Sequence, residues 1–379
     1  MDNALESEAV HRAALQWARG VLEPLADAMD REDRFPDTAW ATLAAHGYTG
    51  AGIPEEWGGS GGDLMTSAQV GRALARVSPA FALSYGAHLN LCAHNILRHG
   101  TQEQRRRYLP GLASGQLLGA MALTEPDAGS DAVSIRTRAV PVDGGFQLRG
   151  SKMFITNAPV ADLMVVYAKT RPDAGKDGIS AFIVETAWPG VRRGAPLDKM
   201  GMRGSPTGEV WFADCFVPAG NLLGEENGGV RVMMGGLDAE RAFYALCGVG
   251  VAEEALERAL AYARTRRQFG RPIADFQLIQ AKLAEMYART EASRLLALAA
   301  VEAAASGRRA SREAAAALFF AAETAHFVVD QAVQVHGGYG YLRGTVVERL
   351  YRDVKLFDIG AGTQEMRRLI MARELLGQR

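Results

Sequence analysis

A loop rich in turn-forming residues, LTEPDAGSDA at 123–132, contains the first candidate site in the sequence. Its proline, aspartate and glycine residues favour turns. The hydroxyls of Thr124 and Ser130, together with several backbone N–H groups, supply a run of donors that could wrap a flat, electron-poor ring and a phosphate. A strand-like run with a Thr-Asn pair, FITNAP at 154–159, follows shortly after. Together the two segments predict the two walls of a flavin site.

The composition of the 379-residue chain excludes several classes of function. The chain is 48% hydrophobic and 22% charged, so it can bury a large core, and its length suggests two or three domains. A formal net charge of −1 argues against a nucleic-acid or anionic-membrane surface. The cysteines, Cys92, Cys215 and Cys247, show no CxxC spacing, so we expect buried, unpaired thiols in a reducing compartment, with a free reactive thiol as the alternative. No metal site is expected.

The N-terminal segment MDNALESEAV is acidic and polar. It lacks the basic start and apolar run of a signal peptide, and it is too acidic for a transit peptide. No apolar run reaches membrane-spanning length. The sequence therefore predicts a soluble, cytoplasmic protein.

Helix and strand signals divide the chain into three parts. Residues 1–118 carry apolar residues at helical spacing, and a charged helix over 101–113 is expected to be broken by Pro110. Residues 119–226 contain short β-branched and aromatic runs separated by turns, typical of a small barrel or sandwich. Residues 227–379 contain three long helical patterns, which suggest a bundle. The predicted fold class is α+β, with an N-terminal helical domain, a middle β domain and a C-terminal helical bundle at these boundaries.

Six strings in this order resemble the acyl-CoA dehydrogenase family over essentially the whole chain. They are LTEPDAGSD (123–131), FITN (154–157), LDKMGMRGS (197–205), RTRRQFGRPI (264–273), QVHGGYGY (334–341) and the tail YRDVKLFDIGAGTQEMRRLIMAREL (351–375). Three further strings make the chain most similar to the isovaleryl-CoA dehydrogenase branch: SYGAHLNLC (84–92), GLDAER (236–241) and IGAGTQE (359–365).

The resemblance implies FAD-dependent α,β-dehydrogenation of an acyl thioester to the trans-2-enoyl thioester. In the family a carboxylate removes the α-proton while the β-hydride goes to flavin N5. Because a thioester α-proton is weakly acidic, the carbonyl oxygen needs donors that bind more strongly as enolate charge develops. The base should lie in a dry pocket, where burial raises its pKa. The Cα–Cβ bond must lie between the base and the flavin.

The resemblance also implies an unusual position for the base. Many family members place it directly before the Gly-Thr of the tail motif, where this chain has Ala361. The isovaleryl and long-chain types place it at the Glu of LDAER, so we expect Glu240 to be the base. The alternatives are that Glu240 is a surface residue at a helix start, or that Glu365 serves instead, although its family position faces the cofactor. The backbone N–H of Gly362 and a flavin ribityl hydroxyl are expected to hold the carbonyl oxygen.

Cofactor contacts follow from the same resemblance. In the two loops, the residues expected to bind FAD are Ala122, Leu123, Thr124, Gly129, Ser130, Phe154, Ile155 and Thr156. The diphosphate of the FAD in a neighbouring subunit is expected to contact Arg266, Gln268 and Phe269. The adenosine side is expected to contact Gln277, Gln334, Val335, Gly337 and Gly338, and the tail adds Thr363 and Glu365. Many relatives carry Trp where this chain has Phe154, which could alternatively be an ordinary core aromatic. The arginines at 264–267 could form a solvated basic face, and His336 is expected to be structural.

The residues expected to bind the thioester are Ser130, Asp238, Arg241, Tyr244, Ala361 and Gly362. Ala361 and the adjacent Gly360 should widen the pocket, which suits a branched acyl group. Tyr244 should share a helix face with Glu240, where it could shorten the pocket, offer a polar partner to the acyl chain, or simply pack in the core. The isovaleryl group as specific substrate therefore stays open.

Four functions remain in competition at this point. The first is a dehydrogenase for short or branched acyl-CoA that passes electrons to electron-transfer flavoprotein. The second is a dehydrogenase for acyl groups bound to an acyl or peptidyl carrier protein. A flavin monooxygenase on the same fold needs no base at 240, and a non-catalytic protein needs no intact flavin loops, so the motifs argue against both. The cofactor segment shared between subunits implies a homotetramer built as a dimer of dimers.

Overall fold

The computed structural model describes residues 2–377, and its first part is helical, as predicted. Two π-helical segments, Ala18–Leu22 and Leu89–Ala93, join α1 to α2 and α5 to α6 without a break. The helices of this part are α1 (Asp2–Trp17), α2 (Glu23–Glu32), α3 (Asp37–Ala45), α4 (Leu64–Val77), α5 (Pro79–His88), α6 (His94–His99) and α7 (Gln102–Ala113).

Helix α7 runs through Pro110, so the predicted break at this residue is wrong. A capping box fixes its start: the Thr101 side chain accepts from the Gln104 N–H, and the Gln104 side chain accepts from the Thr101 N–H. Leu109 and Leu112, on either side of the proline, are fully buried. Proline removes one main-chain hydrogen bond near the end of the helix, and the burial of these leucines offsets that loss.

The middle part forms one eight-stranded sheet in the order β6-β7-β3-β2-β4-β5-β8, with β1 paired to β4. Pairing is antiparallel except where β1 and β2 meet β4. Every residue of β4 and β5 except the last is buried, which explains their unbroken apolar runs. The strands are β1 (Gly119–Ala122), β2 (Arg138–Val142), β3 (Gly145–Thr156), β4 (Leu163–Lys169), β5 (Ile179–Glu185), β6 (Val191–Arg193), β7 (Thr207–Pro218) and β8 (Leu222–Leu223).

The last part is again helical, and the three predicted long helices are present. Helix α8 packs against α4, α9 and α10, so it lies at the centre of the helical region. A two-stranded hairpin, β9 (Arg267–Gln268) with β10 (Arg271–Pro272), separates α8 from α9. The helices are α8 (Gly229–Thr265), α9 (Gln277–Ala305), α10 (Ser311–His336), α11 (Val346–Asp353) and α12 (Gln364–Leu375).

All three cysteines are buried and unpaired, as expected. Over the described residues, the structure contains no helix with the length and apolar character needed to cross a membrane.

A buried ion pair anchors the loop after β1 to strand β3. Lys152 donates to a carboxylate oxygen of Glu125 at 2.8 Å and to the Leu123 carbonyl at 2.9 Å. The Glu125 carboxylate also accepts from the backbone N–H groups of Arg136 and Thr137. Burial lowers the pKa of Lys152 to about 8, and the charge of Glu125 opposes that shift. The pair therefore holds both ends of the loop against the sheet.

Removing the lysine should destabilise the protein because the carboxylate would stay buried without its partner. We expect Lys152→Met to lower the free energy of unfolding by about 3–5 kcal/mol, measured by chemical denaturation. Arg149→Met is the matched control, because Arg149 lies on the same strand and pairs with Asp214 at an exposed position. It should cost at most about 1 kcal/mol. Equal losses in the two variants would contradict a special role for the buried pair.

Candidate active site

Helix α8 carries Glu240 into the protein interior, where the side chain is only 4% exposed. The Asn90 amide donates to its Oε2 at 3.0 Å. Burial raises the pKa of Glu240 to about 7, and the hydrogen bond from Asn90 opposes that rise. The helix begins well before this residue, at Gly229. The alternative of a surface glutamate at a helix start is therefore wrong, and the carboxyl has the dry surroundings that a proton acceptor near neutral pH requires.

A tight turn between the segment 354–358 and helix α12 packs against the next residue of α8. Arg241 donates from Nε to the Ala361 carbonyl at 3.0 Å and pairs with Asp238 at 3.0 Å. Asp238 in turn accepts from the Ser311 hydroxyl at 2.6 Å. Ala361 has a φ of 55°, a left-handed conformation that costs a residue with a side chain about 1–2 kcal/mol. The bond from Arg241 helps to hold this turn in place.

The turn presents an unused backbone donor. The N–H of Gly362 makes no hydrogen bond to any residue between 2 and 377. The turn is joined to α8 through Arg241, the neighbour of Glu240 in sequence. A carboxylate acceptor and an unengaged N–H on adjoining segments are the two groups that enolisation of a thioester needs.

Tyr244 fills the space beside Gly360. Its ring stacks on Phe357, with centroids 4.2 Å apart and planes at 12°. A Cβ added at Gly360 would lie 3.6 Å from its Cε1. The side chain is 2% exposed, and its hydroxyl has no hydrogen-bond partner in the described part of the chain. The room that Gly360 provides is therefore partly occupied by this ring.

Arg367, which the sequence analysis did not single out, lies fully buried behind the same turn. It donates to the Gly360 carbonyl at 2.6 Å and to the Gln364 side chain at 2.8 Å. Burial lowers its pKa to about 10, so the guanidinium is still charged at neutral pH. The tail string contains several arginines, and this pattern is typical of a solvent-facing helix. The local sequence does not distinguish the buried Arg367 from the exposed arginines.

The two predicted walls of the flavin site combine buried and open positions. Ala122, Leu123 and Ile155 are buried, so only their backbone can face a ligand. Ser130 and Gly129 are exposed, and a Cβ added at Gly129 would meet nothing within 4 Å. On these two segments, the hydroxyls of Thr124, Ser130 and Thr156 make no hydrogen bond to another described residue, and none of the three residues is buried.

Phe154 projects from the second wall. The pairing register of β3 with β7 shifts between Lys152 and Ile155, and Phe154 has a φ of 58°. This bulge turns the ring outward, where it is 61% exposed. The alternative of an ordinary core aromatic is therefore wrong. The Met153 N–H donates to the Thr124 carbonyl at 2.9 Å and joins the two walls.

These surroundings fit a flavin. An exposed aromatic ring, free hydroxyl donors and the open space at Gly129 lie on two segments that are held together by main-chain and ion-pair contacts. Asn157, at the end of the second wall, fixes it further by donating to the carbonyls of Ser84 and Gly119 at 2.9 and 3.1 Å.

Other predicted cofactor residues surround a separate open cavity of about 500 Å³, whose lining includes no residue of the first loop. His336 lines the cavity and stacks on Tyr262 at 4.3 Å, with its Nδ1 2.7 Å from the Ala332 carbonyl, so it has a packing role there. Phe269, which follows the cavity residue Gln268 in the chain, is 93% exposed. Gln277 and Gln334 are also exposed. The predicted residues in the lining are Arg266, Gln268, Val335, Gly337 and Gly338.

The two predicted residues of the tail lie at the start of α12. The Thr363 hydroxyl accepts from the Met366 N–H at 3.4 Å and caps the helix. Glu365 is exposed, and hydrogen bonds from its own N–H and from Thr363 lower its pKa. It lacks the burial that distinguishes Glu240, which makes it the poorer proton acceptor.

Comparison with known proteins matches three domain families in order along the chain. They are the acyl-CoA dehydrogenase N-terminal domain over residues 5–116, the middle domain over 120–215 and the C-terminal domain over 227–376.

Individual proteins extend this match over nearly the full length. A mitochondrial isovaleryl-CoA dehydrogenase from Oryza sativa subsp. japonica is 45% identical over 97% of this chain and 90% of its own. The butyryl-CoA dehydrogenase of Megasphaera elsdenii superposes with a TM-score of 0.95 at 37% identity, covering 98% of each chain. The prolyl acyl carrier protein oxidase AnaB superposes with a TM-score of 0.93 at 33% identity, covering 98% of each chain. The chain therefore belongs to the acyl-CoA dehydrogenase family and is an FAD-dependent oxidoreductase.

Proposed function

We propose that this protein dehydrogenates a short or branched acyl thioester between Cα and Cβ, with Glu240 as the base that removes the α-proton. The observation that carries the proposal is the buried Glu240 carboxyl, whose pKa burial raises to about 7. Asn90 bonds only one of its oxygens, so the other is free to accept a proton. The flavin monooxygenase alternative has no use for such a base.

The proposed chemistry assigns a task to each group at the site. Gly362 donates its N–H to the thioester carbonyl oxygen, and this bond strengthens as negative charge develops there. Glu240 takes the α-proton and becomes a neutral carboxylic acid. Bound FAD supplies the acceptor for the β-hydrogen and its electron pair, so that a carbon–carbon double bond forms. Arg241 holds the Ala361–Gly362 turn so that the donor needs no rearrangement during the reaction.

The FAD contacts proposed for this chain lie in two places, the loop walls and the open cavity, and the resemblance assigns the second to a neighbouring subunit. We therefore propose a homotetramer. The exposed side chains of Phe269, Leu278 and Tyr341 near that cavity and along α9 support an interface there. Electron-transfer flavoprotein as the electron acceptor and a cytoplasmic location complete the proposal.

The identity of the acyl group is the finer part of the proposal. Ala361 and Gly360 leave lateral room and favour a branched group, as does the similarity to isovaleryl-CoA dehydrogenases. Tyr244 limits the depth of that room. Its unpaired hydroxyl favours a second candidate, an acyl group with a polar substituent held on a carrier protein, which the similarity to the prolyl acyl carrier protein oxidase also supports.

Replacing the proposed base should remove the reaction while leaving the flavin in place. We expect Glu240→Gln to lower kcat at least about 100-fold, because the amide cannot accept the α-proton, and anaerobic bleaching of the flavin by an acyl thioester to be lost. Glu257→Gln on the same helix is the matched control, since Glu257 is exposed and pairs with Arg76. Full activity in Glu240→Gln would refute the assignment.

The pH dependence should follow the same carboxyl group. Glu240 must be ionised to act, and burial raises its pKa to about 7. We expect kcat/KM to be highest above this pH and to fall about tenfold for each pH unit below it. The measurement is a pH–rate profile with the most active thioester. A profile that stays flat down to about pH 5, near the pKa of an ordinary glutamate, would contradict a buried base.

Tyr244 should govern the shape of the acyl pocket. We expect Tyr244→Leu to raise the ratio of kcat/KM for isovaleryl-CoA over butyryl-CoA by about tenfold or more, because the smaller side chain frees room beside Gly360. Tyr244→Phe keeps the ring and should leave this ratio unchanged, while lowering activity towards polar acyl groups. Tyr167→Phe, which removes another buried hydroxyl, in β4, is the control. An unchanged ratio in Tyr244→Leu would exclude Tyr244 from the pocket.

A further inference from the structure

The string SYGAHLNLC at 84–92 packs against α8 next to Glu240. Its residues Gly86 and Asn90 lie four apart on one continuous helical stretch, so they share the face that meets α8. A Cβ added at Gly86 would lie 2.6 Å from Cε1 of Phe243 and 3.3 Å from Oε1 of Glu240. Only glycine lets α5 approach α8 this closely, and the approach brings Asn90 within hydrogen-bond distance of Glu240.

We propose that Asn90 is a positioning residue for Glu240: its amide holds Oε2 and leaves Oε1 free to receive the α-proton of the substrate. The Nδ2–Oε2 distance is 3.0 Å, and both side chains are buried. Without this bond the carboxyl could rotate about its last side-chain torsion. The inference rests on the proposed role of Glu240 as the base.

The hydrogen bonds of Asn90 separate it from the other buried asparagines near the site. Asn95 donates to the Leu91 carbonyl, and Asn157 donates to the carbonyls of Ser84 and Gly119, so both support the backbone. The amide of Asn90 bonds only to the Glu240 side chain within the described chain. The amide of Asn90 therefore serves the carboxyl group, whereas those of Asn95 and Asn157 serve the backbone.

The local backbone explains why Asn90 reaches its target. Asn90 lies in the π-helical segment Leu89–Ala93, between α5 and α6. A π-helical turn spans more residues than an α-helical turn, so the side chains that follow it point in a different direction. Such segments are frequent at functional sites. The π-turn thus aims the amide at α8 while the chain continues into α6.

Asn90 also opposes the effect of burial on the base. Burial disfavours the carboxylate, and a donor to it favours the charged form. The other titratable groups around Glu240 do not replace that donor. Burial keeps Tyr244 and Cys247 on α8 and Tyr85 and His88 on α5 neutral, Arg241 pairs with Asp238, and Arg367 of α12 bonds Gly360.

The test compares Asn90→Leu, which has the same branching and heavy-atom number but no donor, with Asn95→Leu as the matched control. Bound FAD and the unfolding temperature are measured first, followed by the pH profiles of kcat and kcat/KM. We expect Asn90→Leu to move the acid limb of kcat/KM up by roughly one to two pH units. Activity at about pH 6 should then fall at least about tenfold, with a smaller loss at high pH. Asn95→Leu should keep the wild-type limb.

Asn90→Asp provides an independent check, because a second carboxyl beside Glu240 should move the limb at least as far. If Asn90→Leu does not retain FAD, the smaller Asn90→Ala is measured in its place with the same expectation. A wild-type acid limb in these variants, alongside an inactive Glu240→Gln, would overturn the positioning role alone. Full activity of Glu240→Gln would overturn the proposed base, and with it the reason for positioning it.

Discussion

Helix α8 has to bring three polar side chains, Glu240, Arg241 and Tyr244, into the protein interior within little more than one turn. Burying a charged or polar group without a partner costs several kcal/mol, and the neighbouring elements supply partners for the first two of these side chains. Asn90 donates to Glu240, and Arg241 is satisfied by Asp238 and the Ala361 carbonyl. The positions of α5 and of the turn before α12 therefore follow from the polar groups of one helix.

Two segments of the candidate site contain a strained backbone position. Phe154 and Ala361, both with side chains, adopt left-handed conformations, and each lies where a ligand is proposed to bind. Such conformations persist only where the surroundings impose them. The Lys152–Glu125 pair fixes the strand and loop next to Phe154, and Arg241 bonds the carbonyl of Ala361 itself. Buried charged side chains thus fix two segments in place. One would contact the flavin ring, and the other would donate to the thioester carbonyl.

The sequence predicts those features that depend on local patterns. Helical periodicity and β-branched runs are sufficient to predict the order of helical, β and helical parts, and to predict that α8 is continuous. The burial of Glu240 followed only from a matched string, because α8 is buried on several faces and shows no single apolar stripe. Asn90 was missed because its partner lies far away in sequence and the π-turn that aims it leaves no local signature. The break at Pro110 was wrong because tertiary burial of its neighbours outweighed a local rule.

The proposed acyl pocket illustrates why a matched string does not determine a substrate. Small residues at 360 and 361 suggest space for a branch, yet a Cβ added at Gly360 would already be in contact with the Tyr244 ring. Stacking on Phe357 fixes that ring, so its hydroxyl cannot easily turn away to find another partner. A hydrocarbon acyl group would leave the hydroxyl unsatisfied, at a cost of about 1–3 kcal/mol. An acyl group that offers a hydrogen bond would recover part of that free energy. In the proposed pocket, the space beside Gly360 and the unpaired hydroxyl of Tyr244 would therefore set the substrate preference together, independently of how the base is supplied.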